Sequence, residues 1–245
     1  MLHAPAVPDA LTLTVRALSA PTPTTRRLVL DLGGVPFTYA AGQGGSIGLH
    51  GQRERRPYSI ASAPADTKND GGIEFLLRTD PAGGLGRHLY SVGPGARVDF
   101  EGPFGSFVLP DVLPDAPLLF IAGGTGLAPL RSLARQARAL GHAWPRHLLY
   151  SVRSVDDLAY ADELSRWDAE HGGNAVLTVT RHAPTNWTRG RGRIDLAMLR
   201  PLIGSSAPLC FLCGPPAMVD DVTHLLSQLG VPADHVRTEQ WSPAV

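Results

Sequence analysis

The second half of this sequence repeats one pattern four times, an apolar run followed by a segment with helical periodicity. The runs are PLLFIAG, RHLLYSV, NAVLTVT and APLCFL, and the first leads into LAPLRSLARQARALG. This alternation predicts a parallel sheet with helices on both faces. Ligands bind at the carboxyl ends of strands in such sheets, so the residues directly after each run are the candidates for a site.

The first half has a different pattern, with short alternating or β-branched runs separated by Gly and Pro clusters. The runs are LTLTVRA, RRLVLDL, IEFLLR and ARVDF. Short strands at this spacing favour a small antiparallel β-barrel. The segment PDVLPDAP at 110–117 is rich in proline and acid and separates the two patterns. We therefore predict a barrel domain over residues 1–112 and an α/β domain over residues 113–245.

Composition excludes several function classes. The 245 residues are 43% hydrophobic, which is enough for an ordinary core, and the formal net charge is zero. Such a chain has no overall field that would attract nucleic acid or an anionic membrane. No run reaches the roughly 18 apolar residues of a membrane helix, and MLHAPAVPDA lacks the pattern of a secretion signal. We expect a cytoplasmic protein without membrane insertion or nucleic-acid binding.

The two cysteines, Cys210 and Cys213, lie three positions apart in a predicted strand. Side chains at that spacing point to opposite faces, so a redox pair is not expected. An iron–sulfur cluster is normally held by more Cys thiolates than this pair provides, and we expect no metal site. The sequence also lacks the GxSxG and HExxH patterns of hydrolases.

The first apolar run of the α/β half ends in Gly123, Gly124, Thr125 and Gly126, and a helical segment follows. Glycines let a backbone approach a pyrophosphate, and a helix N-terminus offers free amides and a positive dipole. The pattern is neither a P-loop nor GxGxxG. A tight connection without a ligand explains the glycines equally well, so both interpretations stay open on this motif alone.

In the barrel half, RPYSIAS places Arg56, Tyr58 and Ser59 on a predicted strand after a loop. Arginine can hold a phosphate, tyrosine can stack on a flat ring, and serine can bond a ring heteroatom. Arg56 and Tyr58 share one face of this strand. The alternative is an ordinary edge strand whose long side chains cover apolar surface.

The two motifs in this order, RPYS and then GGTGLAP, closely resemble the ferredoxin–NADP reductase superfamily. Supporting pieces follow one another along nearly the whole chain: AGQ at 41–43, GGLGRHL at 83–89, GPFGSF at 102–107, YSVR at 150–153, CGPPAM at 213–218 and TEQW at 238–241. The resemblance implies a flavin-binding barrel, a nicotinamide-binding α/β domain, and a flavin ring in the crevice between them.

Carried over residue by residue, the resemblance implies three sets of site residues. The flavin set is Arg56, Pro57, Tyr58, Ser59, the turn Gly83, Gly84, Leu85, Gly86 and Arg87, and Trp241 as a cover. The dinucleotide set is Gly123, Gly124, Thr125, Gly126, Ser151, Arg153, Arg181, Gly214 and Pro215. The catalytic set is Ser59, Cys213 and Glu239.

Several positions qualify these assignments. The resemblance implies FAD, but Arg87 stands near where many members carry serine or threonine, so FMN stays open as the alternative. Ser151, Arg153 and Arg181 resemble an adenosine 2′-phosphate site and favour NADPH over NADH. Asp156 and Asp157 lie close enough to bind a ribose, although residues that open a helix are better explained as caps. Trp241 either shields the flavin or is an ordinary buried strand residue.

The implied function is a flavin-dependent oxidoreductase that takes hydride from NADPH, or NADH, and passes electrons to a separate acceptor. The acceptor is a ferredoxin-like protein, an oxygenase component, or a small diffusible molecule. The alternative is an electron-transfer subunit of a larger complex, or a flavin-binding module without turnover. Arg53, Arg55 and Arg56 are candidates for docking an acidic redox protein, although Arg53 and Arg55 also fit solvated loop charges.

Overall fold

The computed structural model describes residues 10–78, 89, 92–204 and 206–240. The first half forms one antiparallel sheet with a helix, α1 (Pro64–Asp70). Its strands are β1 (Leu11–Thr22), β2 (Thr25–Asp31), β3 (Gly44–Leu49), β4 (Arg56–Ser59), β5 (Gly72–Arg78) and β6 (Arg97–Phe104). Their spatial order is β4-β3-β6-β1-β2-β5.

This sheet closes on itself as the predicted barrel. Ile60, directly after β4, forms a bridge to Phe75 of β5, which joins the two ends of the strand order. Alternate residues such as Leu28 and Leu30 point inward and are fully buried, as the period of a strand requires. Phe100 of β6 packs against Phe75 in the same interior.

The second half forms a parallel sheet with helices. Its strands are β7 (Leu118–Gly123), β8 (Arg146–Ser154), β9 (Ala175–His182), β10 (Gly190–Arg191), β11 (Leu209–Gly214) and β12 (Val236–Gln240). Its helices are α2 (Leu127–Ala139), α3 (Ala161–Ser165), α4 (Trp167–His171), α5 (Leu196–Ile203) and α6 (Pro216–Gln228). The order β10-β9-β8-β7-β11-β12 places a topological switch point between β7 and β11. Gly123 and Gly214 end these two strands, so a ligand is expected beside them.

The predicted fold class is confirmed, and the four strand–helix units all form. The second predicted helix divides at Arg166 into α3 and α4. Strand β10 was not predicted, because two residues carry no detectable period. Cys210 and Cys213 lie in hydrophobic clusters on opposite faces of the sheet, as predicted. No helix among the described residues is long and apolar enough to cross a membrane.

The two halves share a packed interface. Phe107, after the last barrel strand, is buried in the α/β core with its ring 5.7 Å from that of Phe211. Arg237 of β12 donates a 2.6 Å hydrogen bond to the carbonyl of Val108. These contacts pack the segment after the last barrel strand against β11 and β12 of the parallel sheet. The domain boundary between residues 112 and 113 stays a prediction.

Candidate functional site

Strand β4 carries the predicted flavin residues at one end of the barrel order. Tyr58 lies opposite Gly45 of β3, and Ser59 lies opposite Gly44. A Cβ at Gly44 would come within 2.5 Å of the Tyr58 carbonyl oxygen, so glycine is needed for this close pairing. Among the described strands, β4 pairs with β3 alone over Arg56–Ser59. The opposite backbone edge therefore has no strand partner, and Tyr58 is half-buried beside it.

The arginines before β4 differ in their surroundings. Arg56 lies 3.7 Å from the exposed carboxylate of Glu54, a surface contact that contributes little and leaves the guanidinium able to hold a phosphate. Arg55 instead contacts Asp99 at 3.4 Å and Glu101 at 3.1 Å. It is part of the barrel's own ion-pair network and is not a solvated loop charge. No local pattern indicates this pairing, because Asp99 and Glu101 lie on a strand far along the chain.

The three predicted catalytic residues meet across the two domains. Ser59 Oγ donates a 3.3 Å hydrogen bond to Glu239 Oε2. Cys213 Sγ lies 3.6 Å from the same carboxylate oxygen, since Cys213 and Glu239 are paired neighbours on β11 and β12. One carboxylate oxygen thus accepts from a barrel hydroxyl and from a thiol of the parallel sheet. The three residues meet at the carboxyl ends of β11 and β12, beside the switch point of that sheet.

Burial controls the protonation of this trio. Burial raises the pKa of Glu239 above its ordinary value of 4.5, although hydrogen bonds from Cys213 and Ser59 act in the opposite direction. Burial and the nearby Glu239 carboxylate raise the pKa of the Cys213 thiol well above its ordinary value of 9.0. Cys213 therefore remains a neutral thiol at physiological pH, and Glu239 is the carboxyl group of the trio to which the other two donate.

The glycine motif forms the predicted turn from strand to helix. Gly124–Gly126 make a single 3-10 turn between β7 and α2, and Gly124 has a φ of 56°, which favours glycine. A Cβ at Gly126 would lie 2.1 Å from the Cys213 carbonyl oxygen. Packing alone therefore requires glycine at position 126, whether or not the turn binds a ligand. The turn also presents the N-terminus of α2 at the switch point, as a pyrophosphate site requires.

An open cleft of about 490 Å³ lies between the barrel and this turn. Its walls include most of the predicted dinucleotide residues: Gly123, Gly124, Thr125, Ser151, Arg153, Arg181 and Pro215. Thr24, Thr25 and Arg78 of the barrel and Arg193 of the α/β domain also line it. Sequence reasoning missed these four because no motif surrounds them. Arg78 is the last residue of β5, and its position at a strand end was the one sequence signal that could have indicated a place in the cleft.

Asp157 lines the cleft but is already bonded. Its Oδ2 accepts from the Ser154 backbone N–H at 3.1 Å, and its Oδ1 accepts from Thr24 Oγ1 at 3.0 Å. The side chain therefore caps a short helical turn and joins the two domains. This arrangement agrees with the capping interpretation made from the sequence. The other charged residues that line the cleft are Arg78, Arg153, Arg181 and Arg193, together with Asp221, which lies 3.5 Å from Arg193. The predicted residues Gly83, Gly84, Leu85, Gly86, Arg87 and Trp241 lie outside the described residues.

Two protein-family models match the chain and divide it as the two sheets do. An oxidoreductase FAD-binding domain matches residues 15–109, and an oxidoreductase NAD-binding domain matches residues 120–224. The chain is also 36% identical to "Ferredoxin--NADP reductase B" of Sorangium cellulosum (strain So ce56), over 95% of this chain and 97% of that one. The chain belongs to the ferredoxin–NADP reductase superfamily.

Other proteins similar to this reductase are named as reductases of a dioxygenase system or of a cytochrome P450. It is 32% identical to the reductase component of the naphthalene 1,2-dioxygenase system of Pseudomonas putida, over 94% of this chain and 68% of that one. The crystal structure of the Amycolatopsis cytochrome P450 reductase GcoB matches with a TM-score of 0.85 at 29% identity. That match covers 96% of this chain and 70% of the other.

This reductase is an NAD(P)H-dependent flavoprotein oxidoreductase with FAD as its cofactor. Its residues fit FAD, because Arg56 offers a charge for phosphate, Tyr58 offers a ring, and the free edge of β4 offers backbone donors and acceptors. When bound, FAD supplies the group that accepts hydride and gives up electrons singly. The protein's own contribution is to bind, orient and shield the reactants.

Proposed function

We propose that this reductase takes hydride from NADPH onto FAD and passes the electrons to a separate protein, a ferredoxin or an oxygenase component. The observation that carries this proposal is the contact of Ser59 and Cys213 with one oxygen of Glu239 across the two domains. Cys213 is small and neutral, so it leaves room for a nicotinamide ring. Ser59 and Glu239 provide a hydroxyl–carboxylate path along which a proton can leave the flavin site.

NADPH is the proposed cosubstrate in preference to NADH. Arg153 and Arg181 are exposed side chains that line the cleft beside Ser151, and two guanidinium groups with a hydroxyl suit a phosphate dianion. A site for NADH more often presents a carboxylate to the ribose hydroxyl. Asp157 already accepts two hydrogen bonds from protein groups, which argues against that role.

The proposed acceptor class follows from the relatives and from the cysteine content. Several relatives are named as reductase components of dioxygenase or monooxygenase systems. The two cysteines of these 245 residues, both buried and free, do not suffice for an iron–sulfur cluster, which supports an acceptor outside this sequence. Free thiols also fit a reducing compartment, and we propose that the protein acts in the cytoplasm.

The test is an anaerobic spectrum of the FAD-loaded protein, recorded before and after addition of NADPH and, separately, NADH. We expect the flavin bands to bleach faster with NADPH. Faster bleaching by NADH would contradict the assignment of Ser151, Arg153 and Arg181. A protein that binds FAD but is bleached by neither nucleotide would be a flavin-binding module without turnover.

A second measurement separates the classes of acceptor. The NADPH-reduced protein is mixed with a [2Fe–2S] ferredoxin or with free FMN, and the rate of electron transfer to each is followed by absorbance. We expect faster transfer to the ferredoxin and a rate that falls with added salt, because charged surfaces steer redox partners. Faster transfer to free FMN would identify a diffusible acceptor instead.

A further inference from the structure

One face of helix α2 bonds the barrel segment that directly follows the flavin strand β4. Four side chains of α2 contact that segment: Arg131 bonds the Ala61 carbonyl at 2.8 Å, Ser132 bonds the Ser62 carbonyl at 2.7 Å, Arg135 bonds the Asp66 carboxylate at 2.7 and 2.8 Å, and Gln136 accepts from the Ala65 N–H at 3.2 Å. Positions i, i+1, i+4 and i+5 share one side of a helix. This contact is therefore continuous over more than one helical turn.

Arg131 is the most buried of these groups that carry a charge, with 8% of its surface exposed. Its Nε lies 2.7 Å from Glu163 of its own domain, and its guanidinium also lies 3.4 Å from Glu74 of the barrel. A buried charge is tolerated when it is paired and hydrogen-bonded in this way. The guanidinium is therefore held by carboxylates of both domains and connects them.

Tyr160 completes the enclosure of Arg131. Its ring lies under the guanidinium at 4.5 Å, and its hydroxyl donates a 2.7 Å hydrogen bond to Glu74. The backbone of Tyr160 has a φ of 58°, an unfavourable conformation for a residue with a side chain. Such strain persists only where the surrounding structure imposes it. The fold therefore maintains this enclosure at a conformational cost.

Helix α2 connects the two cofactor motifs in space. Its N-terminus follows the Gly124–Gly126 turn, and Ala61, which it bonds through Arg131, lies two residues after Ser59. We propose that Arg131 is a positioning residue that fixes the flavin strand relative to the dinucleotide turn, so that nucleotide binding at one end of α2 is transmitted to β4. This inference rests on the proposed binding of NADPH at that turn. It assigns to the interface a role in aligning hydride transfer as well as in stability.

The kinetic test compares two arginines of the same helix. In Arg131→Met the guanidinium is lost from the interface, whereas Arg138→Met alters an exposed residue that pairs with Glu170 inside its own domain at 3.4 Å. A misplacement of about 1 Å can cost roughly 100-fold in rate. We expect Arg131→Met to slow flavin reduction at saturating NADPH about 10- to 100-fold, with the Kd for NADPH changed by less than about threefold. Arg138→Met should match the wild type in both quantities.

A measurement without turnover tests the transmission itself. Amide hydrogen exchange is followed over residues 60–67 of the FAD-loaded protein with and without NADP⁺, whose binding is measured in parallel by calorimetry. We expect NADP⁺ to slow exchange there in the wild type and in Arg138→Met, and not in Arg131→Met. Equal slowing in all three proteins would overturn the proposal.

Three further outcomes are informative. If Arg131→Met does not fold, Arg131→Lys keeps a positive charge near Glu74 and Glu163 but loses the planar guanidinium that bonds Glu163 and the Ala61 carbonyl together, and a rate at saturating NADPH equal to that of the wild type would overturn the proposal. The proposal would also be overturned if Arg131→Met bound NADPH more weakly but reduced its flavin at the wild-type rate when NADPH is saturating. If calorimetry finds no NADP⁺ binding in the wild type, the proposed function itself fails, and this inference fails with it.

Discussion

The hydroxyl of Ser59 and the carboxylate of Glu239 are 3.3 Å apart, although 180 positions separate them in the chain. Ser59 ends the flavin strand of the barrel, and Glu239 lies on β12 of the parallel sheet. Because Glu239 Oε2 also lies 3.6 Å from Cys213 Sγ, the carboxylate forms a bridge between the two domains. Removing its charge should therefore change both stability and pH dependence.

The first prediction concerns Glu239→Gln. A carboxyl whose pKa is raised by burial stabilises the fold most below its ordinary pKa, and this stabilisation is lost as the pH rises through the raised value. The glutamine amide in the variant carries no charge at any pH. We expect the free energy of unfolding of the variant, relative to wild type, to improve as the pH rises from below 4.5, measured by urea titrations. Asp115→Asn, at an exposed position, is the control and should show no such trend.

The second prediction concerns the two thiols. Burial raises the pKa of Cys210 to about 12, and burial together with Glu239 raises that of Cys213 well above its ordinary value. A thiolate is the reactive form, so both groups should resist Ellman's reagent at about pH 8 in the folded protein and react fully in guanidinium. Mass spectrometry after mild oxidation should find no bond between them, since they lie on opposite faces of the sheet. Rapid labelling of the native protein would contradict the burial.

The fold was predictable because its periodic signals are local. Each predicted strand of the α/β half is a continuous apolar run, and each helix carries its own period. The division at Arg166 and the two-residue strand Gly190–Arg191 were missed, since neither interrupts or creates a period. The catalytic trio was assigned by family resemblance alone, because its convergence depends on how two domains pack.

The interface could not be predicted for the same reason. Arg131, Arg135 and Arg138 lie on one helix and look alike in sequence, yet the first is buried between carboxylates and the last is largely exposed. Which arginine faces the barrel depends on the rotation of α2 against it. A helical period gives the spacing of side chains but not the surface that each one meets.

The third prediction tests the cleft arginines. In the double variant Arg153→Ala/Arg181→Ala the cations proposed to hold the 2′-phosphate are lost. We expect the KM for NADPH to rise at least about 10- to 100-fold, the loss expected from a single charge-assisted bond of roughly 1.5–3 kcal/mol, while the KM for NADH changes little. Arg200→Ala, on α5 and not among the cleft residues, is the matched control. An equal rise in the KM values for NADPH and NADH would indicate that these arginines contact a part of the nucleotide that both cosubstrates share.

The last prediction separates packing from binding in the glycine turn. Gly126 has a φ of −59°, which alanine adopts readily, so the effect of Gly126→Ala is steric. The new Cβ would meet the Cys213 carbonyl oxygen at 2.1 Å, and backbone atoms on both sides leave little room for adjustment. We expect destabilisation of about 1–3 kcal/mol by urea unfolding, already in the absence of nucleotide. Gly93→Ala, where no atom of the residues that the structure describes lies within 4 Å of the added Cβ, should be nearly neutral. If Gly126→Ala instead kept full stability and lost only NADPH binding, the glycine would serve the ligand alone, and the close contact of the turn with β11 would not constrain the fold.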